Sequence, residues 1–337
     1  MDELRQRMSK SFKSILARHE TILFVVLILE VALFHFIGRK FLTGDNVANI
    51  VRQSVEIGLL ALVMTPIILT AGIDLSVGSL MGLCAVAFGM FWKDAELSPW
   101  LAALGAIGVG ALGGGLNAVL ITRMSLPPLI VTLGTFSLFR GLAEALTGGT
   151  KSFTNFPESF LSLGNGFALG LPVQAWVFGL VAVGVWVLVH RTTFGRSFRA
   201  IGFSPDGAKF AGIPVQQRLA FAYTLAGAVA GLAAVIFVSR VTEARANAGV
   251  GYELAAITAV VLGGTSIFGG VGSIPGTLLG VAAVAVLTNG LSRIIAISGI
   301  SRELSGMLTG ALLLLALAAG AVIKMLAERR ARVGSRQ

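Results

Sequence analysis

The chain has 337 residues, of which 55% are hydrophobic and 12% charged, with a mean hydropathy of +0.87 and a formal net charge of +10. Average globular chains are about 25% charged, so a soluble domain is excluded. The basic residues collect at the ends of apolar runs rather than in one aromatic-interleaved patch, which argues for membrane topology and against a nucleic-acid partner.

Residues 1–20 carry Arg5, Arg7, Lys10, Lys13 and Arg18 ahead of the apolar run 21–37. No small-residue cleavage site is well placed behind them, so they read as a cytoplasmic tail before a retained span. Runs long enough to cross a bilayer, about 17–25 residues, lie near 21–37, 54–71, 75–92, 100–122, 127–147, 172–190, 218–239, 254–270, 273–291 and 304–323. With both termini inside, most of the 26 Lys and Arg residues fall on the cytoplasmic side, as the positive-inside rule requires. Five spans on each side of the loop 148–171 suggest halves of about 21–147 and 172–323, joined to a cytoplasmic loop 191–217 and a basic tail 324–337. An odd number per half places them in opposite orientation. The expected fold is an all-α polytopic membrane protein, a single transmembrane domain of about ten helices in two inverted halves. Glycine-rich breaks are expected near 70–76 and 263–273. A loose internal match between 69–79 and 262–273 is the repeat signal.

The first break, Thr70-Ala-Gly-Ile-Asp-Leu-Ser-Val-Gly-Ser79, places a carboxylate inside an apolar stretch. A charge at membrane depth costs about 2.5–3.5 kcal/mol on insertion scales and faces protein or a water-filled cavity. Asp74 then caps the helix that restarts near Ser76; a polar turn at the membrane surface fits equally well. Candidates to line a solute path are Asp74, Ser76, Ser79, Asn117, Thr132, Thr135 and Phe136. Asn117, Thr132 and Thr135 fit helix contacts as well. Arg140 and Glu144 stand four apart and can pair. Glu56 is expected to reach the interface, while Glu30 lies mid-span without an evident partner, and a proton-coupling role is its sharp alternative. Cys84 reads as buried and inert.

Catalytic patterns are missing. The chain has no phosphate-loop glycine motif, no His-Glu-x-x-His pair, scattered His19, His35 and His190, and only one intramembrane aspartate. No enzyme activity, cofactor or metal is expected on this chain. The loop 191–217 is more informative. Ser204 and Pro205 open a short helix that Gly212 can stop, carrying apolar Phe210 and Ile213 outside the membrane. It reads as an element that docks another protein, against the alternative of a lipid-headgroup anchor.

Three segments together resemble the permease subunits of bacterial ABC importers for monosaccharides, the ribose-type group. They are Thr70–Ser79, Gly195-Arg-Ser-Phe-Arg-Ala-Ile-Gly202 with Ala211-Gly-Ile213, and the stretch 259–277, in the same order over about residues 45–320. Ser239–Arg245 looks nearest the rhamnose and autoinducer-2 branches. The resemblance implies an inner-membrane, multi-pass permease that pairs with a second copy or a related permease. Its partners would be a cytoplasmic ATPase, which uses ATP and Mg, and a periplasmic sugar-binding protein. The residues facing the ATPase would be Gly195, Arg196, Arg199, Gly202, Ser204, Ala208, Phe210, Gly212 and Ile213. Ala71 departs from the family's usual glycine, and Phe203-Ser204 from its Asn-containing turn. A self-powered carrier and a branched-chain amino-acid-type permease are the alternatives.

Overall fold

The computed structural model describes residues 19–37 and 41–298. The expected tenth span, the basic tail 324–337 and most of the N-terminal tail lie outside the described residues. Among the described residues twelve helices follow one another: α1 His19–Ile37, α2 Gly44–Leu69, α3 Val77–Lys93, α4 Pro99–Thr122, α5 Pro128–Thr147, α6 Glu158–Asn165, α7 Val173–Arg191, α8 Thr193–Phe203, α9 Pro205–Phe210, α10 Val215–Val241, α11 Tyr252–Leu262 and α12 Ile274–Ser298. A two-residue hairpin, β1 Phe167–Ala168 with β2 Leu171–Pro172, precedes α7.

Among the described residues, α1, α2, α4, α5, α7, α10 and α12 are the seven helices long and apolar enough to cross a membrane. The chain is a multi-pass membrane protein. At 1.5 Å per residue, the 11 residues of α11 are too short to cross alone. The expected span 254–270 is therefore corrected: the helix stops at Leu262, and Gly263 to Ser273 run as turns. Their geometry needs glycine, with φ of +89°, +85° and +77° at Gly264, Gly269 and Gly270.

Helix boundaries follow local chemistry. The Ser98 hydroxyl accepts from the Leu101 amide at 3.4 Å, with Pro99 in the first turn of α4. α5 ends on Gly148 in the left-handed conformation. Pro66 does not end α2, which continues to Leu69.

The bundle is centred on α2, α3 and α10, whose inner residues form one continuous core. Small residues set the packing. Gly110 and Gly114 of α4 meet Gly227 of α10 so closely that a Cβ on Gly227 would overlap the Gly110 carbonyl. One end of the bundle carries α8 and α9; the opposite end carries α6, the hairpin and the segment 242–251.

Candidate functional site

Three neighbouring features carry the polar residues of the interior. The first is the break between α2 and α3. Leu69 is the last helical residue, and Ala71 turns the chain at φ +61°. The left-handed region disfavours a Cβ, so the departure from glycine noted in the sequence falls at the one residue of the turn that needs it. Asp74 then accepts from the Ser76 amide at 2.8 Å and from the Ser76 hydroxyl at 2.7 Å, both through Oδ1. It thus holds the turn ahead of α3 rather than the helix's inner amides.

The network extends across helices. The Asn117 side-chain amide donates to the Ser76 hydroxyl at 2.8 Å, and Thr135 donates to the Asn117 Oδ1 at 2.7 Å. Thr132 donates to the Ile73 carbonyl at 3.1 Å, and Ser79 to the Ser76 carbonyl at 2.9 Å. Asp74 is 2% exposed and Ser76, Ser79, Asn117 and Thr132 are fully buried, so the break lies inside the bundle and the surface-turn alternative does not hold. Of the seven residues singled out from the sequence, six are brought together; Phe136 is only half-buried and takes no part in the hydrogen bonding.

The second feature is the α8–α9 loop. The Ser204 hydroxyl accepts from the Gly207 amide at 3.0 Å, and Gly212 closes α9 at φ +79°. Ala208 is buried beneath it, while Phe210 is 93% and Phe203 73% exposed. Helix α8 was not expected from the sequence. Its amphipathic spacing buries Gly195, Ser197, Phe198 and Ile201 and leaves Arg196 in solvent, and Thr192 caps it. At its end, Gly202 sits between the two helix breaks. A Cβ there would overlap both the Leu69 carbonyl and the Gly270 amide. Those two groups hydrogen-bond to each other at 2.9 Å, joining the end of α2 to the turn before α12. Arg199 adds a second tie, donating to the Val189 carbonyl at 3.1 Å and to Gly272 at 3.4 Å. His190 accepts from the Ile274 amide at 3.2 Å, at the start of α12.

The third feature is the segment 242–251, which leaves the far end of α10 and descends between helices to start α11. It is pinned to the segment after α5 by a reciprocal bridge between Phe153 and Ala244, 2.9 Å in each direction. Arg140 donates from Nη1 to the Ala246 carbonyl and, at 3.2 Å, to that of Ala248. The expected Arg140–Glu144 pair is thus replaced by backbone carbonyls brought near only by the fold, and Glu144 is exposed. Glu253, 7% exposed, accepts from the Gly251 amide at 3.2 Å through Oε1. The α3 helix approaches this segment through glycine, since a Cβ on Gly82 would lie 2.7 Å from both the Arg140 Nη1 and the Ala246 carbonyl.

Glu56 also differs from expectation. It is fully buried and pairs with Arg240 at 2.6 Å across 184 residues, because α2 begins ten residues earlier than the apolar run and carries Glu56 into the bundle. Glu30 is half-buried, with Oε2 unpartnered among the described residues. Cys84 is buried.

The family described as "Branched-chain amino acid transport system / permease component" matches residues 46–317. The chain is 38% identical over 303 residues to the autoinducer 2 import system permease protein LsrD of Photorhabdus temperata, covering 88% of this chain and 89% of that one. It is equally identical over 300 residues to the proteins of that name from Escherichia coli K12 and Shigella flexneri, again covering 88% and 89%. No solved structure matches. With seven membrane-capable helices among the described residues and this match over most of its length, the chain belongs to the family of transport-system permease components and is a transport subunit, not an enzyme.

Proposed function

We propose that the chain forms part of the translocation path of an ATP-driven importer for a sugar-like solute, with both termini cytoplasmic. The ATPase docks on α8 and α9, and ATP with Mg acts on that separate chain. A periplasmic binding protein delivers solute to the opposite end, and a second permease, identical or related, completes the path. The relatives named for autoinducer 2 import favour this reading over an amino-acid carrier.

The observation that carries the proposal is the seat of Gly202. A docked partner gripping exposed Phe203 and Phe210 displaces α8, and α8 touches both helix breaks through backbone. A force applied outside the membrane is thereby delivered to the end of α2 and the turn before α12 together. Coupling of this kind requires contacts that differ between two states, and packed cores switch between discrete arrangements rather than deform smoothly.

Packing partners support the inverted halves. α3 lies on α4 and α10, as α11 lies on α12 and α2; α4 lies on α10 as α12 lies on α2. Exchanging the halves maps each pair onto the other. In that scheme the counterpart of 70–76 is 242–251, which revises the internal match expected with 262–273.

A tagged full-length protein is to be captured from its native membranes in mild detergent. The expected result is one ATPase copy per permease, lost when 204–213 becomes a flexible linker. Capture of the chain alone across several detergents contradicts the proposal and favours a self-powered carrier, with Glu30 the first residue to test.

A further inference from the structure

We infer that Arg140 of α5 and Glu253 of α11 close into a buried ion pair in a second conformation of the permease, and that the present conformation holds them apart. This rests on the importer reading and names a contact that differs between its two states.

Each side chain is half engaged. Arg140 donates from Nη1 to the Ala246 and Ala248 carbonyls, while its Nη2 is buried with no hydrogen-bond partner among the described residues. Glu253 accepts from the Gly251 amide through Oε1, while its Oε2 is likewise buried and unpartnered. Buried polar atoms left without a partner are costly, most of all on charged groups, and call for an explanation. A guanidinium N–H and a carboxylate oxygen are each other's strongest complement. Of the carboxylates acting on Arg140, Glu253 exerts a larger pull than Glu144. The competing charges are engaged or outside: Arg245 lies 3.5 Å from Glu243, and Glu144 is exposed. Yet Arg140 and Glu253 do not meet. The ion pairs among the described residues are Lys151–Asp94, Arg240–Glu56 and Arg245–Glu243.

Both groups lie against one glycine face of α3. A Cβ on Gly78 would overlap Glu253 Oε2, and one on Gly82 would lie 2.7 Å from Arg140 Nη1. The two glycines stand one helical turn apart, about 6 Å along the axis. The Gly249 carbonyl lies over Gly78 and the Ala246 carbonyl over Gly82, so 246–251 meets backbone rather than side chains at both places. Gly249 and Gly251 bend that segment at φ +72° and +80°, conformations that glycine adopts freely. Steps between packed helices run from about 1–2 Å to a one-turn ratchet of about 5.4 Å. A step of that size along the glycine face brings Glu253 Oε2 to Arg140 Nη2, and the pair stabilises the conformation in which it forms.

The test is a double-mutant cycle on nucleotide trapping in the complete importer, captured with its ATPase and reconstituted in lipid nanodiscs. The probes are radiolabelled ATP and orthovanadate, with no solute added, and trapping requires the importer to reach its second state. Glu253→Gln is expected to lower trapped nucleotide about tenfold, equivalent to about 1.4 kcal/mol. Its unfolding midpoint without ATP stays at the parent's, because glutamine keeps the acceptor for the Gly251 amide. Arg140→Gln also lowers trapping, and the double variant traps no less than Arg140→Gln alone, since the partner is already gone. Three results overturn the pair: equal trapping in the parent and Glu253→Gln, a double-variant loss equal to the product of the single losses, or a Glu253→Gln loss matched by a lowered midpoint. Each of these leaves ATPase capture by the parent intact. A parent that captures no ATPase fells the importer reading and the pair with it.

Discussion

The starts of α3 and α11 are built to one plan and finished differently. Each helix begins after a non-helical stretch inside the bundle, and each has a buried carboxylate holding a backbone amide at its start. The two starts touch, since a Cβ on Gly78 would overlap Glu253 Oε2 and lie 2.6 Å from the Gly249 carbonyl. At α3, Asp74, Ser76, Asn117 and Thr135 form one connected chain of hydrogen bonds, beside which the buried Tyr223 hydroxyl has no hydrogen-bond partner among the described residues. At α11, Glu253 Oε2, Arg140 Nη2 and Arg245 Nε have no hydrogen-bond partner among the described residues. A network connected across several elements fixes a conformation. At α11 the hydrogen bonds are separate: Glu253 with the Gly251 amide, and Arg140 with the Ala246 and Ala248 carbonyls. The first region is therefore a structural joint tied across α4 and α5.

The largest effect expected from breaking this comparison is Asp74→Leu. It strips the shared acceptor from the Ser76 amide and hydroxyl, leaving buried donors unpaired at about 3 kcal/mol or more. Thermal unfolding in detergent will show a large drop in midpoint, whereas Glu253→Gln, which forfeits no bond at Oε2, will stay within about 1 kcal/mol of the parent. Equal losses for the two would erase the distinction. Asp74→Asn retains an acceptor oxygen, so uptake should persist; its abolition would return the Asp74 charge to the mechanism.

Gly202→Val comes next. It forces apart the joined Leu69 and Gly270 groups at about 1–3 kcal/mol, and uptake is expected to fall while the ATPase still binds. Asn117→Leu removes the bridge between Ser76 and Thr135 at about 1–2 kcal/mol, read as a lowered unfolding midpoint. The smallest effect runs the other way. Ala71→Gly relieves a left-handed Cβ, partly offset by greater freedom in the unfolded chain, for a net gain of about 0.5 kcal/mol. A lowered midpoint there would contradict the strain assigned to Ala71.

Local chemistry was legible in advance. Asp74 with its flanking glycines marks the first break, Ser204-Pro205 and Gly212 bound α9, and the apolar runs locate most helices to within a few residues. What escaped depends on residues far apart in sequence. Glu56 finds Arg240 only when α2 and α10 pack, and Arg140 prefers carbonyls 106 and 108 residues away to its near neighbour Glu144. Helix α8 was missed because its glycines and arginines mask the apolar face that signals it. The packing of 242–251 against the segment after α5 had no local signal, since the bridge joins Phe153 to Ala244, far apart in sequence.

The central claim is that α8 transmits the motion of a docked ATPase to both helix breaks through Gly202. The most direct measurement is solute uptake per ATP hydrolysed, in proteoliposomes holding the complete importer, for the parent and for Gly202→Val. The account predicts that the variant complex assembles and hydrolyses ATP at a comparable rate, while uptake per ATP falls about tenfold or more, equivalent to about 1.4 kcal/mol of lost coupling. Uptake per ATP equal to the parent's, in a complex of normal composition, would contradict it.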